Sequence, residues 1–134
     1  MSSDAVCPCG RTDAKGRPLA RAACCGRYLD DFERLPAPDA ECLMRSRYSA
    51  FVEQNAAYLL ASWHASQRPA QLDFEPGCNW LGLEVKGARS LGADRAEVEF
   101  VARSRLAGRG QRLHERSRFV HEDGRWYYVD GDML

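Results

Sequence analysis

Apolar residues recur at helical spacing between positions 39 and 63. After Asp39, six apolar positions fall on one face of a helix, and this spacing predicts that the face packs against a core. These positions are Ala40, Leu43, Met44, Tyr48, Phe51 and Val52. Asp39 is a favourable N-cap, and Glu41 places a negative charge in the first helical turn. A second, shorter helix is predicted from about Ala56 to Trp63.

The period changes from helical to alternating after Gly77, and four strands are predicted. They cover about residues 80–87, 95–105, 111–121 and 125–130. Asp123 and Gly124 are preferred in a two-residue hairpin turn, and short turns elsewhere give an antiparallel meander with one buried face. The predicted buried face carries Leu81, Leu83, Val85, Ala96, Val98, Phe100, Phe119, Trp126 and Tyr128.

The lengths of the turns fix the predicted pairing between strands. The Asp-Gly turn places Ser117 opposite Asp130, and a four-residue loop at 107–110 places Ala102 opposite Glu115. A turn around Gly92 and Ala93 places Leu83 opposite Ala102. The three turns agree in placing one set of alternate residues on the buried face.

Polar residues interrupt this face at one end of the sheet. Glu115, Ser117 and Asp130 lie there, and Arg47 falls within the apolar face of the first helix. An unpaired buried charge costs several kcal/mol, so we expect Arg47 to pair with Asp130 or Glu115. The cluster forms either a closed ion-pair network or a small pocket. Its candidate residues are Arg47, Tyr48, Trp63, His64, Glu115, Ser117, Phe119, Tyr128 and Asp130.

The opposite face of the predicted sheet is basic. A candidate anion-binding patch consists of Arg103, Arg105, Arg112 and Arg116, with His114 and Arg118 on the same face. Such a face could bind phosphates, or it could be an ordinary solvated surface. The interleaved aromatic residues on which single-stranded nucleic acids stack are missing from it.

Composition limits the classes of protein to consider. The chain has 134 residues and a formal net charge of zero, which indicates one domain with a small appendage and no global attraction to nucleic acid or anionic membranes. No segment approaches the roughly 18 apolar residues of a spanning helix, and the N-terminal residues do not resemble a secretory signal. We therefore expect a cytoplasmic protein without a membrane partner, in a compartment where thiols stay reduced.

Four of the six cysteines form two close pairs near the N-terminus. Cys7 and Cys9 flank a proline, Cys24 and Cys25 are adjacent, and a glycine follows each pair. In a reducing compartment this pattern favours one structural zinc ion held by four thiolates in a closed site. Unligated thiols and a disulfide are the alternatives. The remaining cysteines, Cys42 and Cys78, are most simply core residues.

The motifs also carry a resemblance. The segments "CPCG" and "CCG" resemble the SEC-C motif, a small zinc module, and "CCGRYLDDF", "PDAECLMRSRYSAFV", "YLLASWH" and "WYYVDG" resemble the YchJ-like family of uncharacterised bacterial proteins. The likeness covers nearly the whole chain. It implies an α+β protein in which a SEC-C-like knuckle, residues 1–34, precedes a nuclear-transport-factor-like domain, residues 35–134, with helices packed as a cone on a curved antiparallel sheet.

The resemblance favours a noncatalytic binding protein. In this hypothesis the knuckle docks a protein partner, and the second domain stabilises the knuckle or holds a small ligand. The partner would be anionic, because the loop between the cysteine pairs and its flank are basic. Their basic residues are Arg11, Lys15, Arg17, Arg21 and Arg27. Related sheets often pair, so a homodimer is also considered.

Two other classes remain as alternatives. A small-molecule enzyme of isomerase, hydrolase or dehydratase type would use Asp130 or Glu115 as a base, with Tyr48, Tyr128 or His64 as proton partner. The plain interpretation of His64 is a helix cap or a hydrogen bond to a carbonyl. Nucleic-acid or ribosome-associated binding through the outer arginines would weaken steeply with salt.

Overall fold

The computed structural model describes residues 5–134, and its main element is a four-stranded antiparallel sheet. The strands are β1 (Asn79–Ser90), β2 (Arg95–Leu106), β3 (Arg109–Glu122) and β4 (Arg125–Met133), and they pair in chain order. This is the predicted meander, with each strand longer than expected. Residues 1–4 of the predicted knuckle segment 1–34 lie outside the described residues.

The α-helices within residues 5–134 precede the sheet; they are α1 (Gly26–Leu29), α2 (Ala40–Val52) and α3 (Ala56–Ala61). The helix α2 begins where the sequence predicts, because the Asp39 carboxylate accepts a hydrogen bond of 2.7 Å from the Cys42 amide. The Asn55 side chain caps α3 in the same way. Among residues 5–134, no helix combines the length and the apolar character needed to cross a bilayer.

The helix α2 packs on the inner face of the sheet, with β1, β2 and β4 as its neighbours. Aromatic rings from the helix and the sheet pack against each other: the centres of the Tyr48 and Trp80 rings lie 5.7 Å apart, and Phe51 also contacts Trp80.

Two predicted core positions are wrong. Val52 lies at the edge of the helical face and is exposed, and Leu81 is 55% exposed because a bulge beside Trp80 turns Trp80 inward instead.

The turn between β2 and β3 is shorter than predicted. Leu106 pairs with Arg109, so Ala107 and Gly108 form a two-residue turn, with left-handed φ values of 54° and 78°. The pairing is consequently displaced by two residues, and Phe100 lies opposite Glu115. Because side chains alternate with a period of two, this displacement leaves each side chain on its predicted face.

The hairpin between β3 and β4 has the predicted Asp123–Gly124 turn, but a bulge follows it. The pairing shifts between Arg118 and Phe119, so that Arg118 lies opposite Asp130 and Ser117 lies opposite Gly131. One extra residue on β4 reverses the face of everything beyond it. The prediction that Asp130 faces the core is therefore wrong.

The N-terminal knuckle packs directly on this domain. Its chain forms a narrow antiparallel hairpin, in which Val6 bridges to Ala20 and the Cys7 amide donates to the Leu19 carbonyl at 2.9 Å. Arg21 joins it to the end of α2 through Glu53, at 2.6 Å. The buried cysteines belong to the same apolar cluster as the inner faces of α2 and the sheet.

Candidate metal centre and cavity

The four N-terminal cysteines converge on one point. All four sulfur atoms lie within 4.8 Å of one another and all four residues are buried. The Cys7–Cys9 and Cys9–Cys24 sulfur pairs are both 3.6 Å apart. A tetrahedral zinc ion with bonds of about 2.3 Å to sulfur separates its ligands by about 3.8 Å. The cluster therefore fits a single tetrahedral metal ion, as its spacing in the sequence predicts.

Local backbone geometry brings the cysteine pairs together. Gly10 has a φ of 78°, and its amide closes the turn on the Cys7 carbonyl at 3.3 Å. A short 3₁₀ turn, Arg21–Ala23, leads into the second pair. A Cβ at Gly26 would lie 2.7 Å from the Arg21 carbonyl oxygen. The residue after the second pair is thus confined to glycine by close packing.

The helix α2 supplies polar contacts to the cluster. The Ser49 hydroxyl lies 3.7 Å from the Cys7 sulfur, and the Arg45 guanidinium lies 3.1 Å from the Cys9 carbonyl oxygen and 3.9 Å from its sulfur. Hydrogen bonds from Cys25 and Cys9 lower the pKa of Cys7 below its ordinary value, whereas burial raises the pKa of Cys24 to about 12. The protein environment alone thus favours unequal ionisation of the thiols, whereas a metal ion held by all four sulfur atoms would ionise each of them.

A network of charges joins the knuckle to α2 beside the cluster. Glu41 accepts hydrogen bonds of 2.9 Å from both Arg11 and Arg45. Burial alone would raise the pKa of Glu41, but these two guanidinium groups outweigh it and hold the pKa below its ordinary value. Arg11 also approaches the buried Cys42 sulfur at 3.4 Å. Cys42 is therefore part of this interface, while Cys78 is half-buried and lies outside it.

A second feature is a cavity of about 250 Å³ between the helices and the sheet. The lining is mostly apolar and aromatic, with a few polar groups. Its residues are Met44, Arg47, Tyr48, Phe51, Trp63, Trp80, Phe100, Ala102, Leu113, Glu115, Ser117, Phe119 and Tyr128. Of the predicted pocket residues, the structure brings all but two to this lining.

Sequence reasoning did not assign six of these residues to the pocket. They are Met44, Phe51, Trp80, Phe100, Ala102 and Leu113. Most could have been found, because helical spacing or alternation puts them on the buried faces. Trp80 could not, since the bulge that turns it inward leaves no mark in the alternating pattern.

Arg47 is buried in the wall of the cavity without a carboxylate partner. Its Nη1 atom donates to the Leu59 carbonyl at 2.7 Å and to the Ser62 hydroxyl at 2.6 Å. The guanidinium carbon lies 5.2 Å from the centre of a Trp63 ring and 4.5 Å from that of Tyr128. It forms no salt bridge within residues 5–134, so the predicted pairing with Asp130 or Glu115 is wrong. Burial lowers the pKa of Arg47 to about 10, which leaves it charged at neutral pH.

Glu115 lies in the same cavity and is held by its neighbours on the sheet. One carboxylate oxygen accepts a hydrogen bond of 2.6 Å from Ser117 and a longer one of 3.4 Å from the Tyr128 hydroxyl. Burial raises the pKa of Tyr128 to about 12, and it does the same for Tyr48. Both phenols therefore keep their protons at neutral pH.

The other two predicted pocket residues lie outside the cavity. Asp130 pairs with Arg118 at 2.6 Å on the outer face, because of the bulge in β4. The His64 ring contacts Glu122 at 3.1 Å and Ser66 at 2.7 Å, while its backbone amide donates to the Tyr128 carbonyl. The side chain of His64 thus serves neither the predicted cap nor the pocket.

The basic outer face is partly neutralised. Arg116 and His114 both approach Glu99, at 3.8 Å and 2.7 Å. Arg103 lies opposite Arg112, and these two and Arg105 form no salt bridge with any residue from 5 to 134. The unpaired part of the predicted patch is therefore smaller than expected, and nucleic-acid binding there stays a prediction.

Comparison with known proteins gives consistent matches over nearly the whole chain. Residues 39–131 match the family model described as the YchJ middle NTF2-like domain. A UPF0225 protein of a Polaromonas species is 70% identical over 129 residues, which cover 96% of this chain and 93% of that one. A UPF0225 protein of Methylibium petroleiphilum is 59% identical, over 95% and 88% of the two chains.

Two solved structures share the fold. A SEC-C motif containing protein from Psychrobacter arcticus is 33% identical, with a TM-score of 0.81 over 96% of this chain and 82% of that one. A SEC-C motif containing protein from Rhodopseudomonas palustris is also 33% identical, with a TM-score of 0.80 over 96% and 98%. The α+β architecture and the cysteine cluster that the sequence predicts agree with these relatives.

Proposed function

We propose that this chain, which belongs to the UPF0225 family and matches the YchJ middle NTF2-like domain over residues 39–131, is a noncatalytic protein that binds a small molecule in its cavity. The observation that carries this proposal is the cavity of about 250 Å³ with a buried, uncompensated Arg47 in its wall. A closed ion-pair network would fill this space and neutralise the charge. Neither condition is met, and the arrangement therefore favours a ligand site.

The placement of the titratable groups favours binding over catalysis. Of the two carboxylates considered as bases, Asp130 is on the outer face, and Glu115 accepts hydrogen bonds from Ser117 and Tyr128. His64 is outside the cavity. The phenols of Tyr48 and Tyr128, with pKa values of about 12, are poorly matched to proton transfer near pH 7.

The cysteine cluster supports this function as a structural brace. We infer that the ion held by Cys7, Cys9, Cys24 and Cys25 is zinc, because four thiolates in a closed tetrahedral set suit it and leave no position for a substrate. The knuckle contacts α2 through Arg45 and Ser49, and the same helix presents Arg47 and Tyr48 to the cavity. The ion would therefore hold one wall of the binding site in place.

Docking of a protein partner through the knuckle is a second candidate. The specific support is the exposed tip of the hairpin, which carries Lys15 and Arg17. Val6, at the open end of the same hairpin, is 60% exposed. Arg11 and Arg21 contribute less, because ion pairs with acids of the same chain hold them. Arg17 also contacts Asp13, at 3.4 Å, but its side chain stays 69% exposed.

A pulldown tests the docking candidate. Wild type is compared with a Lys15→Glu, Arg17→Glu variant and with an Arg103→Glu control, which also adds negative charge but lies on the outer sheet face. Docking predicts that the hairpin variant alone loses the proteins retained by wild type. Identical retained proteins for all three would contradict it.

A thermal-shift screen of small molecules tests the proposed ligand site. A ligand at about 100 times its Kd stabilises a protein by about 2.7 kcal/mol. Ala102→Leu fills the cavity, and Ala88→Leu adds the same atoms at an exposed site on β1. Stabilising compounds should raise the Tm of wild type and of Ala88→Leu, but not that of Ala102→Leu. Equal stabilisation of all three proteins would contradict binding in the cavity.

A further inference from the structure

The cavity presents opposite charges at two points of one aromatic enclosure. Arg47 packs on the face of Tyr128, and Glu115 is near the hydroxyl of the same ring. The two charged groups thus approach different parts of one tyrosine ring, and among the described residues they form no salt bridge with each other. A molecule that contacts both groups would meet a cation and a carboxylate at its two ends.

The unpaired nitrogens of the Arg47 guanidinium indicate which chemical group one end of a ligand should carry. Both protons of Nη1 are used by Leu59 and Ser62, which fixes the orientation of the plane. The Nε and Nη2 atoms donate to no residue between 5 and 134, and neither is sealed away from open space. These two nitrogens form the fork that binds a carboxylate through two parallel hydrogen bonds.

The buried Arg47 guanidinium carries a free-energy cost for as long as it has no anionic partner. Arg47 is only 6% exposed, and water compensates a charge poorly at such a site. The aromatic faces of Trp63 and Tyr128 stabilise a cation without supplying a negative charge. A ligand carboxylate would supply it, whereas a ligand cation would be repelled.

Glu115 defines the other end. Its Oε2 atom already accepts hydrogen bonds from Ser117 and Tyr128, and its Oε1 atom has no donor among the described residues. A carboxylate oxygen in this state accepts a hydrogen bond and offers none. The second end of the ligand should therefore carry a donor, such as a hydroxyl.

The remaining walls define the body of the ligand. Aromatic rings line the same cavity as the two polar ends; they belong to Tyr48, Phe51, Phe100 and Phe119. An apolar protein cavity of about 150 Å³ can accept benzene. The larger volume here, about 250 Å³, has room for one ring with two substituents.

We infer that the cavity binds a small flat apolar acid, of the size of one aromatic ring, with its carboxylate on Arg47 and a donor group on Glu115. This inference rests on the proposed function, because it names the chemical class of ligand for the same site. It excludes neutral and cationic aromatic molecules of equal size as preferred ligands.

The test is an NMR titration of the 134-residue, zinc-loaded chain with benzoate, benzamide and 4-hydroxybenzoate. Benzamide has the shape of benzoate without the charge. We expect benzoate to bind at least tenfold more tightly than benzamide, and 4-hydroxybenzoate to bind severalfold more tightly than benzoate. The shifted amide signals should include Ser117 and Phe119, which lie in the cavity wall.

Variants separate the charge from the shape of the site. Arg47→Gln should reduce the preference for benzoate over benzamide to about onefold, and Arg103→Gln, which removes an equal charge from the outer face, should leave it unchanged. If Arg47→Gln does not fold, Glu115→Gln provides the test. It removes a repelling charge, so benzoate should bind severalfold more tightly than it does to wild type.

Three results would overturn the inference. Equal affinities of wild type for benzoate and benzamide would remove the role of Arg47, while leaving a ligand site for neutral molecules. Weaker binding of benzoate by Glu115→Gln would contradict the assignment of the ligand's carboxylate to Arg47 and of its donor group to Glu115. If none of the three compounds shifts the cavity signals, the assigned class is wrong, and the outcome of the thermal-shift screen then decides the proposed function independently.

Discussion

The carboxylate of Glu115 occupies the space that a side chain at Gly131 would need. A Cβ added at Gly131 would lie 2.8 Å from the Glu115 carboxylate carbon and 3.0 Å from the Arg116 carbonyl oxygen. Because Gly131 lies opposite Ser117, it also sits beside the hydroxyl that holds this carboxylate. The orientation of the acidic end of the cavity thus depends on one missing methyl group on the neighbouring strand.

Gly131→Ala should destabilise the protein by about 1–3 kcal/mol, the usual cost of an overpacked site. The Glu115 side chain must move, which breaks its hydrogen bond from Ser117. Urea unfolding measures the loss, and Gly110→Ala is the matched control, because nothing lies within 4 Å of a Cβ there. An equal free energy of unfolding for the two variants would contradict this account.

Arg47 and Asp130 show what can be predicted of single residues. Helical spacing correctly predicted that Arg47 is buried, because burial depends on the face of one helix. Its partners could not be predicted in this way, since they belong to other elements. Asp130 was assigned to the core face because a bulge of one residue, which reverses the face of a strand, has no signature in the alternating pattern.

At the scale of elements, the hairpin between β2 and β3 carries a strained residue. Ala107 has a φ of 54°, a left-handed conformation in which the Cβ of an L-residue is crowded. The corresponding position of the next hairpin is Asp123, with a φ of 52°, and aspartate tolerates this conformation better. The two turns have the same backbone geometry, but Asp123 suits the left-handed position better than Ala107 does.

Ala107→Asn should therefore stabilise the protein by about 0.5–1 kcal/mol, because asparagine is favoured at this position of a two-residue turn. Differential scanning calorimetry would record this as a higher Tm. Ala93→Asn is the control, since Ala93 lies in the preceding turn without a left-handed φ and should gain nothing. A decrease in Tm for Ala107→Asn would show that strain in this turn does not limit stability.

The same hairpin shows why elements were easier to predict than their pairing. The segment 107–110 is compatible with a two-residue turn or a four-residue loop, and the two differ by a displacement of two residues. Such a displacement keeps every side chain on its face, so the buried pattern cannot distinguish them. The faces of β2 and β3 were therefore predicted correctly from an incorrect register.

At the scale of the whole molecule, α2 connects the cysteine cluster to the cavity. The helix contacts the knuckle through Glu41, Arg45 and Ser49. The same helix also presents Arg47 and Tyr48 to the cavity. The sequence predicted both sites separately, from cysteine spacing and from helical periodicity. It gave no sign of their connection, because contacts between elements far apart in the chain leave no local pattern.

This connection predicts that loss of the metal ion affects the distant cavity. Cys24→Ser should bind less than one zinc per chain, and its Tm should fall sharply, because a structural zinc site contributes on the order of 10 kcal/mol of folding free energy. Its α2 amide signals should broaden in NMR spectra, and compounds that stabilise wild type should bind at least severalfold more weakly.

Cys78→Ser is the matched control, because Cys78 lies outside the cluster and its loss should change none of these properties. A Cys24→Ser protein that loses its zinc yet keeps the wild-type affinity for such compounds would show that the knuckle and the cavity are independent, and that the metal ion stabilises the knuckle alone.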